Sequence, residues 1–299
     1  MRHAAFPICA TVILASGGAF ADTPVYPTPE AAFEALVSAL ESGAEGAAAA
    51  TMGDGALDLI SSGDPAADAE AKQEFLALWS EGHSFEEDDN GRTFAVLGAD
   101  DWPFAVPVSR SGGGWSFDLE AGRSEMQLRE VGGNEMDVIE LMRAYVMLQA
   151  EYRLSDFDED GVMEFAAHIL SSEGTRDGLL WDGDDSPVGD MVARASATGY
   201  VSDGVERDPE PYLGYYFHIL TEQGANAPGG AMSYMAGDNM VAGHALLAFP
   251  AQYGVTGVSS FIVSENGRVM EADLGEDTLD VAGAIIAYDP DERWSPVPE

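Results

Sequence analysis

Residues 149–170, QAEYRLSDFDEDGVMEFAAHIL, are the stretch around which the second half of the chain is organised. A long helical pattern runs into aspartates at alternate positions, and a glycine, Gly161, follows them directly. The aspartates are Asp156, Asp158 and Asp160. Carboxylates at positions 1, 3 and 5 with a glycine at position 6 are typical of the opening of a Ca²⁺-binding EF-hand loop.

The end of this loop departs from the EF-hand pattern. Position 12, where an EF-hand has a bidentate glutamate, is Ala167, and the late carboxylate is Glu164 at position 9. The sequence therefore predicts a partial Ca²⁺ loop with the candidate metal ligands Asp156, Asp158, Asp160 and Glu164. The alternative is an acidic, solvated turn between two helices, in which Asp160 and Gly161 supply the turn.

Helices are predicted on both sides of the loop. Residues 124–155 form a helical pattern that is interrupted at Gly132-Gly133, and residues 162–170 form a second one. On that second helix Glu164 and His168 would lie one turn apart, so they either share a metal or form a surface pair. The pattern lacks the second histidine of a zinc protease.

Charge is the most unusual property of the composition. The chain has 53 acidic and 13 basic residues, a formal net charge of −40. Such a surface repels nucleic acid and anionic lipid, so we expect neither as a partner. The excess of acid indicates either adaptation to a saline medium outside the cell or a cation-binding face.

The first 21 residues are typical of a secretory signal peptide. Arg2 precedes an apolar run, and Ala19-Phe20-Ala21 provides a small-residue cleavage site. We therefore expect a mature chain that begins at Asp22, resides in the periplasm or outside the cell, and has no membrane span. The sole cysteine, Cys9, lies within the signal, so we expect no disulfide or thiolate site; lipidation of Cys9 is the alternative.

Two α+β domains are predicted after the signal, residues 22–123 and 124–299. In the first, Thr28-Pro29 and Asp64-Pro65 start helices, and strands follow at residues 92–97, 102–108 and 115–119. This order is similar to the nuclear transport factor 2 fold. In the second, the long helix precedes strands and a short closing helix, and a further helix is predicted at residues 187–199. The predicted strands are residues 214–220, 242–249, 258–264 and 268–273.

Other candidate sites have simpler explanations. His218 and His244 lie on predicted strands, where their rings either meet or are separately packed in a sheet. Six aromatic residues alternate as strand residues do, which favours core packing over a sugar-binding platform. They are Trp102, Phe104, Tyr212, Tyr215, Tyr216 and Phe217. We identify no catalytic residue from the pattern, because paired carboxylates cannot be distinguished among so many acids.

Several strings together resemble one group of proteins. They include GADDWPFAVPV at residues 98–108, GYYFHILTEQG at 214–224 and FPAQYGVTGVSSFIVSENG at 249–267. The group is the exported bacterial family catalogued as domain of unknown function 2950, and the resemblance implies export and a shared fold without implying a reaction. The order of the long helix, the aspartate-rich loop and the Pro-x-x-Tyr-Gly-x-x-Gly hairpin is also similar to the globular part of type II secretion pseudopilins.

The functional prediction is a non-enzymatic binding or assembly module of the periplasm or cell exterior, stabilised by Ca²⁺. Its partner would be an envelope protein or ligand. The alternative is a carboxylate-dependent hydrolase that acts on an envelope polymer.

Overall fold

The structure is a computed structural model that describes residues 23–157, 159–172, 174–181, 186, 200–202 and 205–298. The chain forms two compact units, the first ending at Met126 and the second beginning at Gln127. Both units combine helices with antiparallel sheets, which confirms the predicted α+β class. The signal segment, Asp158 and the helix predicted at residues 187–199 lie outside the described residues.

The helices of the first unit begin where local capping groups favour it. They are α1 (Pro29–Ser42), α2 (Ala47–Met52), α3 (Leu57–Ile60) and α4 (Pro65–Glu81). The Thr28 side chain accepts a hydrogen bond from Ala31 N at 3.2 Å, and Asp64 accepts one from Ala66 N at 2.8 Å. Each cap precedes a proline at the first helical position, as predicted from the sequence.

The sheet of the first unit has the order β1-β2-β4-β5, with β3 paired to β2. Its strands are β1 (His83–Glu87), β2 (Thr93–Leu97), β3 (Trp102–Pro103), β4 (Val108–Ser111) and β5 (Gly114–Phe117). Phe33 of α1 is fully buried on this sheet, with its ring centroid 5.6 Å from Phe85 and 5.4 Å from Phe117. The continuous strand predicted for residues 102–108 is wrong, because that stretch contains only β3 and the start of β4.

An extended segment ahead of α1 pairs with the outer edge of β5. Tyr26 N donates to Trp115 O at 2.7 Å, and Trp115 N donates to Tyr26 O at 2.8 Å. Gly114 permits this approach, since a Cβ atom there would lie 2.4 Å from Tyr26 O. The first residues of the described chain are therefore part of the sheet.

Helix α5 (Leu119–Tyr152) runs for 34 residues without a break. The predicted interruption at Gly132-Gly133 is wrong. A glycine costs a helix only about 1 kcal/mol, and contacts directly after this pair hold the helix in place. Asn134 Nδ2 donates to Thr256 O at 3.1 Å, and Glu135 Oε1 accepts from the amides of Val258 and Ser259, each at 2.9 Å.

The helix predicted for residues 162–170 is also wrong. This stretch contains β6 (His168–Leu170), which pairs in parallel with β7 (Gly178–Leu180), and Phe165 forms a bridge with Met240. The other short strands of this unit form separate antiparallel pairs: β8 (Tyr200–Ser202) with β9 (Val205–Arg207), β11 (Glu222–Gln223) with β12 (Met232–Ser233), and β13 (Met235–Ala236) with β14 (Asn239–Met240). Hydrogen bonds to distant segments satisfy the backbone here and override the helical pattern.

The main sheet of the second unit is an antiparallel meander in the order β10-β15-β16-β17-β18. Its strands are β10 (Tyr215–Leu220), β15 (Ala245–Pro250), β16 (Ser259–Ser264), β17 (Met270–Asp273) and β18 (Ser295–Pro296), and α6 (Thr278–Gly283) follows β17. Val138, Met142 and Tyr145 of α5 share one buried cluster with residues of this sheet. The long helix therefore packs on the sheet, and its last turns lead to the aspartate loop.

Candidate functional site

The aspartate loop, defined as residues 156–164, follows the end of α5. The helix closes with the amides of Leu154 and Ser155 donating to the carbonyls of Glu151 and Tyr152 at 3.0 and 3.1 Å. Phe157 then returns toward the helix, with its ring 4.8 Å from that of Tyr152. These contacts fix the position at which the loop begins.

Two of the predicted ligands bind the turn of the loop itself. Asp156 Oδ2 accepts from Gly161 N at 2.9 Å, and Asp160 Oδ1 accepts from Val162 N at 2.7 Å. Gly161 has a φ of 90°, a conformation that side chains disfavour. The glycine thus makes the sharp turn expected at position 6 of a cation loop.

The other end of the loop is attached to the hairpin of β13 and β14. Glu164 Oε2 accepts from Met240 N at 2.9 Å, and Phe165 N donates to Met240 O at 2.8 Å. Asp160 also accepts a hydrogen bond from the side-chain amide of Asn239. Glu164 is therefore directed at the hairpin, Asp156 binds a loop amide, and Asp160 binds both a loop amide and the hairpin.

The complete predicted ligand set cannot be assembled from the described residues. Asp158 lies outside them, and within them no group of three or more His, Cys, Asp or Glu side chains is arranged to hold a metal ion. The described part of the site contributes Asp156, Asp160 and Glu164.

Asp156 carries the most informative atom of the loop. Its Oδ1 is inaccessible to solvent and has no hydrogen-bond partner among the described residues, while its Oδ2 binds Gly161 N. Removing a carboxylate oxygen from water without a replacement partner costs free energy. A cation bound by such an oxygen replaces the missing hydrogen-bond donor, so the position of this atom agrees with the predicted Ca²⁺ site.

Gln149 supports the segment that follows the loop, and the sequence analysis did not identify it. Its fully buried side chain brackets Ala166, because Oε1 accepts from Ala166 N and Nε2 donates to Ala166 O, each at 2.9 Å. Nε2 also donates to Tyr145 Oη at 3.0 Å. The available signal was a polar residue on the apolar stripe of α5, between Tyr145 and Tyr152.

The candidate histidine sites do not assemble. His168 is an exposed residue of β6, so it is not one helical turn from Glu164. His218 lies in β10 and pairs with Leu247 of β15, whereas His244 lies just before β15. Among the described residues the ring of His244 contacts those of Tyr145 and Phe165 and not that of His218. Burial lowers the pKa of His218.

His244 is the other residue that sequence reasoning undervalued. It is 1% exposed, its Nδ1 has no hydrogen-bond partner within the described part of the chain, and its ring lies 5.2 Å from that of Tyr145 and 4.7 Å from that of Phe165. Burial, and secondarily the nearby charge of Arg153, lowers the pKa of His244 to about 4.

A shallow pocket in the second unit has a cavity volume of about 230 Å³. Its lining includes Ile262, Trp294, Arg293 and one carboxylate, Asp289. Asp289 accepts hydrogen bonds from the backbone and side-chain amides of Asn226, at 2.7 and 3.1 Å. The volume is below the roughly 300–1,000 Å³ of small-molecule sites, and this pocket lacks the second carboxylate of a glycosidase-type centre.

Comparison with protein families gives one match, a model described as "Protein of unknown function (DUF2950)", over residues 23–297. Searches of curated proteins and of solved structures found no match. The similarity to pseudopilins is not confirmed by these comparisons. Among the described residues, no helix is both long enough and apolar enough to cross a bilayer.

Proposed function

Since the chain belongs to the DUF2950 family of proteins of unknown function, we propose a role from its own residues: an exported, non-enzymatic binding or assembly module of the periplasm or cell exterior, stabilised by Ca²⁺ at the aspartate loop. Its partner would be an envelope protein or ligand. The signal-like first 21 residues and the net charge of −40 support export and argue against nucleic acid as a partner.

The solvent-inaccessible Oδ1 of Asp156 is the observation that carries the calcium proposal. Carboxylate oxygens of Asp156, Asp158 and Asp160 would supply the ligands, and Glu164 would assist from the hairpin side. An irregular set of carboxylate ligands suits Ca²⁺ better than Mg²⁺, which requires a strict octahedron. Without a bidentate ligand at position 12, we expect a dissociation constant on the order of 10⁻⁴ to 10⁻³ M, as in extracellular modules.

Cation binding would join two parts of the second unit. The loop starts at the last turn of α5 and ends at the β13–β14 hairpin, to which Asp160 and Glu164 are already hydrogen-bonded. A divalent ion would relieve the repulsion between neighbouring aspartates. The expected effect is a more rigid loop surface for a partner and a more stable fold.

The test is the effect of Ca²⁺ on thermal stability. At 10 mM, Ca²⁺ would be about 10 to 100 times its dissociation constant and would stabilise the fold by about 1.4 to 2.7 kcal/mol. Asp156→Asn, or Asp158→Asn with Asp160→Asn, should abolish the increase in Tm. Glu140→Gln is the matched control, because it removes one charge from an exposed position on α5. An equal response to Mg²⁺ at matched ionic strength would leave the loop as an acidic turn.

Partner binding needs a separate experiment. The full exported chain, immobilised with and without Ca²⁺, would be incubated with envelope extract, and Asp156→Asn would serve as the reference. We expect at least one envelope component to be retained by the wild type in a Ca²⁺-dependent manner. Release of soluble fragments from an envelope polymer by the purified chain would instead favour the hydrolase alternative.

A further inference from the structure

We infer that His244 is an acid-sensitive latch: its neutral ring holds residues 164–166 against α5 and the main sheet, and protonation of the ring releases them. The latch lies in the second unit, where α5, β15 and the segment after the aspartate loop meet. It shares Glu164 with the proposed calcium loop, but it is carried by other contacts and can be tested without divalent ions.

The first support is the packing of His244 between two aromatic rings. Its ring makes an edge contact with Tyr145 of α5, at an interplanar angle of 75°, and a tilted contact with Phe165, at 58°. Phe165 is itself 2% exposed. The imidazole therefore fills the space between the helix and the segment that must move.

The second support is that this segment is attached through single residues of other elements. Phe165 N and Glu164 Oε2 bind Met240, and the backbone of Ala166 binds the side chain of Gln149. Because these bonds connect irregular backbone to single residues, each is lost when the segment moves away. The ring contact with His244, together with the Arg153 guanidinium over the Phe165 ring, packs the segment in this position.

Of the charged and titratable groups around the ring, Arg153 opposes its protonation, while the carboxylate of the moving segment, Glu164, accepts a hydrogen bond from Met240 N. Arg153, the residue directly after α5, lies beyond Phe165, with its guanidinium carbon 4.7 Å from the centroid of that ring. Tyr145 donates to Ala245 O at 3.2 Å, and burial raises its pKa. On the other side, Tyr234 packs against Gly243, and burial raises the pKa of Tyr234 to about 12. Both tyrosines stay neutral, so neither balances an imidazolium charge.

The direction of the pH effect follows from these surroundings. The pKa of His244 falls from 6.5 to about 4 in the closed segment, by burial first and by Arg153 second. An open segment exposes the ring to water and restores the ordinary pKa. The open state therefore binds more protons, so the latch is fully closed above pH 6.5 and loosens as the pH falls toward 4.

The latch can be tested by amide hydrogen exchange followed by NMR, on the full mature chain without divalent ions. The amide of Ala166 is the reporter, because it donates to Gln149. Between pH 7.5 and 5.0 the opening equilibrium, corrected for intrinsic exchange, should rise about 30-fold for a group whose pKa changes from 6.5 to 4. His244→Phe retains a ring that cannot be protonated and should make opening independent of pH.

His168→Phe is the matched control, since His168 is exposed on β6 of the same unit; this variant should respond to pH like the wild type. Equal opening of the wild type at the two pH values would overturn the inference, as would an unchanged pH response in His244→Phe. If that variant fails to fold, titration of the His244 ring in the wild type decides, because a pKa near 6.5 would also overturn the latch.

Discussion

Replacing Gln149 with leucine should destabilise the second unit strongly. The substitution keeps the approximate size of the side chain but removes every polar atom from a fully buried position. Ala166 N and Ala166 O then lose their partners, each now at 2.9 Å from the Gln149 amide. Tyr145 loses one donor but keeps its bond to Ala245 O at 3.2 Å.

The magnitude follows from the two orphaned backbone groups. A buried donor or acceptor left unsatisfied costs about 1 to 3 kcal/mol, so two of them cost about 2 to 6 kcal/mol. The additional apolar surface of leucine offsets part of this cost, at about 25 cal/mol per Å² buried. We expect a loss of about 3 kcal/mol in the free energy of unfolding, a large fraction of the stability of a typical domain.

Urea unfolding, followed through amide resonances of α5 and β15, measures this loss for the second unit alone. Gln127→Leu is the control on the same helix, because Gln127 is exposed and donates only to Gly254 O at 2.8 Å. The control should change the free energy by no more than about 0.5 kcal/mol. A loss below about 1 kcal/mol in Gln149→Leu would refute the reasoning, since water or a shifted Ala166 would then satisfy the backbone.

Two further predictions concern charge and close packing. The Tm should rise between about 10 and 500 mM NaCl, because a net charge of −40 repels itself at long range only when salt is low; a flat Tm in calorimetry would show that the charges are locally compensated. Gly257→Ala should lower stability sharply, because its Cβ would lie 2.0 Å from Tyr215 Oη, whereas Gly283→Ala at the end of α6 meets nothing within 4 Å. Equal unfolding midpoints for these two variants would contradict the packing at Gly257.

Local sequence patterns were sufficient to predict those elements whose hydrogen bonds join neighbouring residues. The caps at Thr28 and Asp64 each lie within three residues of their donors, so the helix starts could be predicted. The turn at Asn266-Gly267 likewise depends on neighbours, because Asn266 Oδ1 accepts from Arg268 N at 2.8 Å. Such interactions need no knowledge of the rest of the chain.

The wrong predictions involve long-range partners. Helix α5 continues through Gly132-Gly133, and the anchors just beyond that pair bind residues more than 120 positions away. Residues 162–170 have a helical pattern, yet Met240 and Gln149 take the hydrogen bonds of Phe165 and Ala166. A periodic pattern reports which residues are apolar, but it does not reveal which distant backbone will pair with them.

The candidate site also has a local part that the sequence could predict and a long-range part that it could not. The turn made by Asp156, Asp160 and Gly161 is local, and its spacing in the sequence pointed to it. Asn239 and Met240, which bind the far side of the loop, lie about 80 residues further on and carry no motif. His244 became notable only when its neighbours Tyr145 and Phe165 were placed around it.

The pairing of Tyr26 with Trp115 affects the tendency of this chain to associate with other copies through a sheet edge. Strand β5 lies at one edge of the first sheet. Without Tyr26 it would present its N–H and C=O groups as a template for another chain. Tyr26 occupies that edge, and Gly114 lets it approach closely. Proteolytic trimming past Tyr26 would therefore uncover a docking edge and turn a self-contained domain into one prone to strand exchange and aggregation.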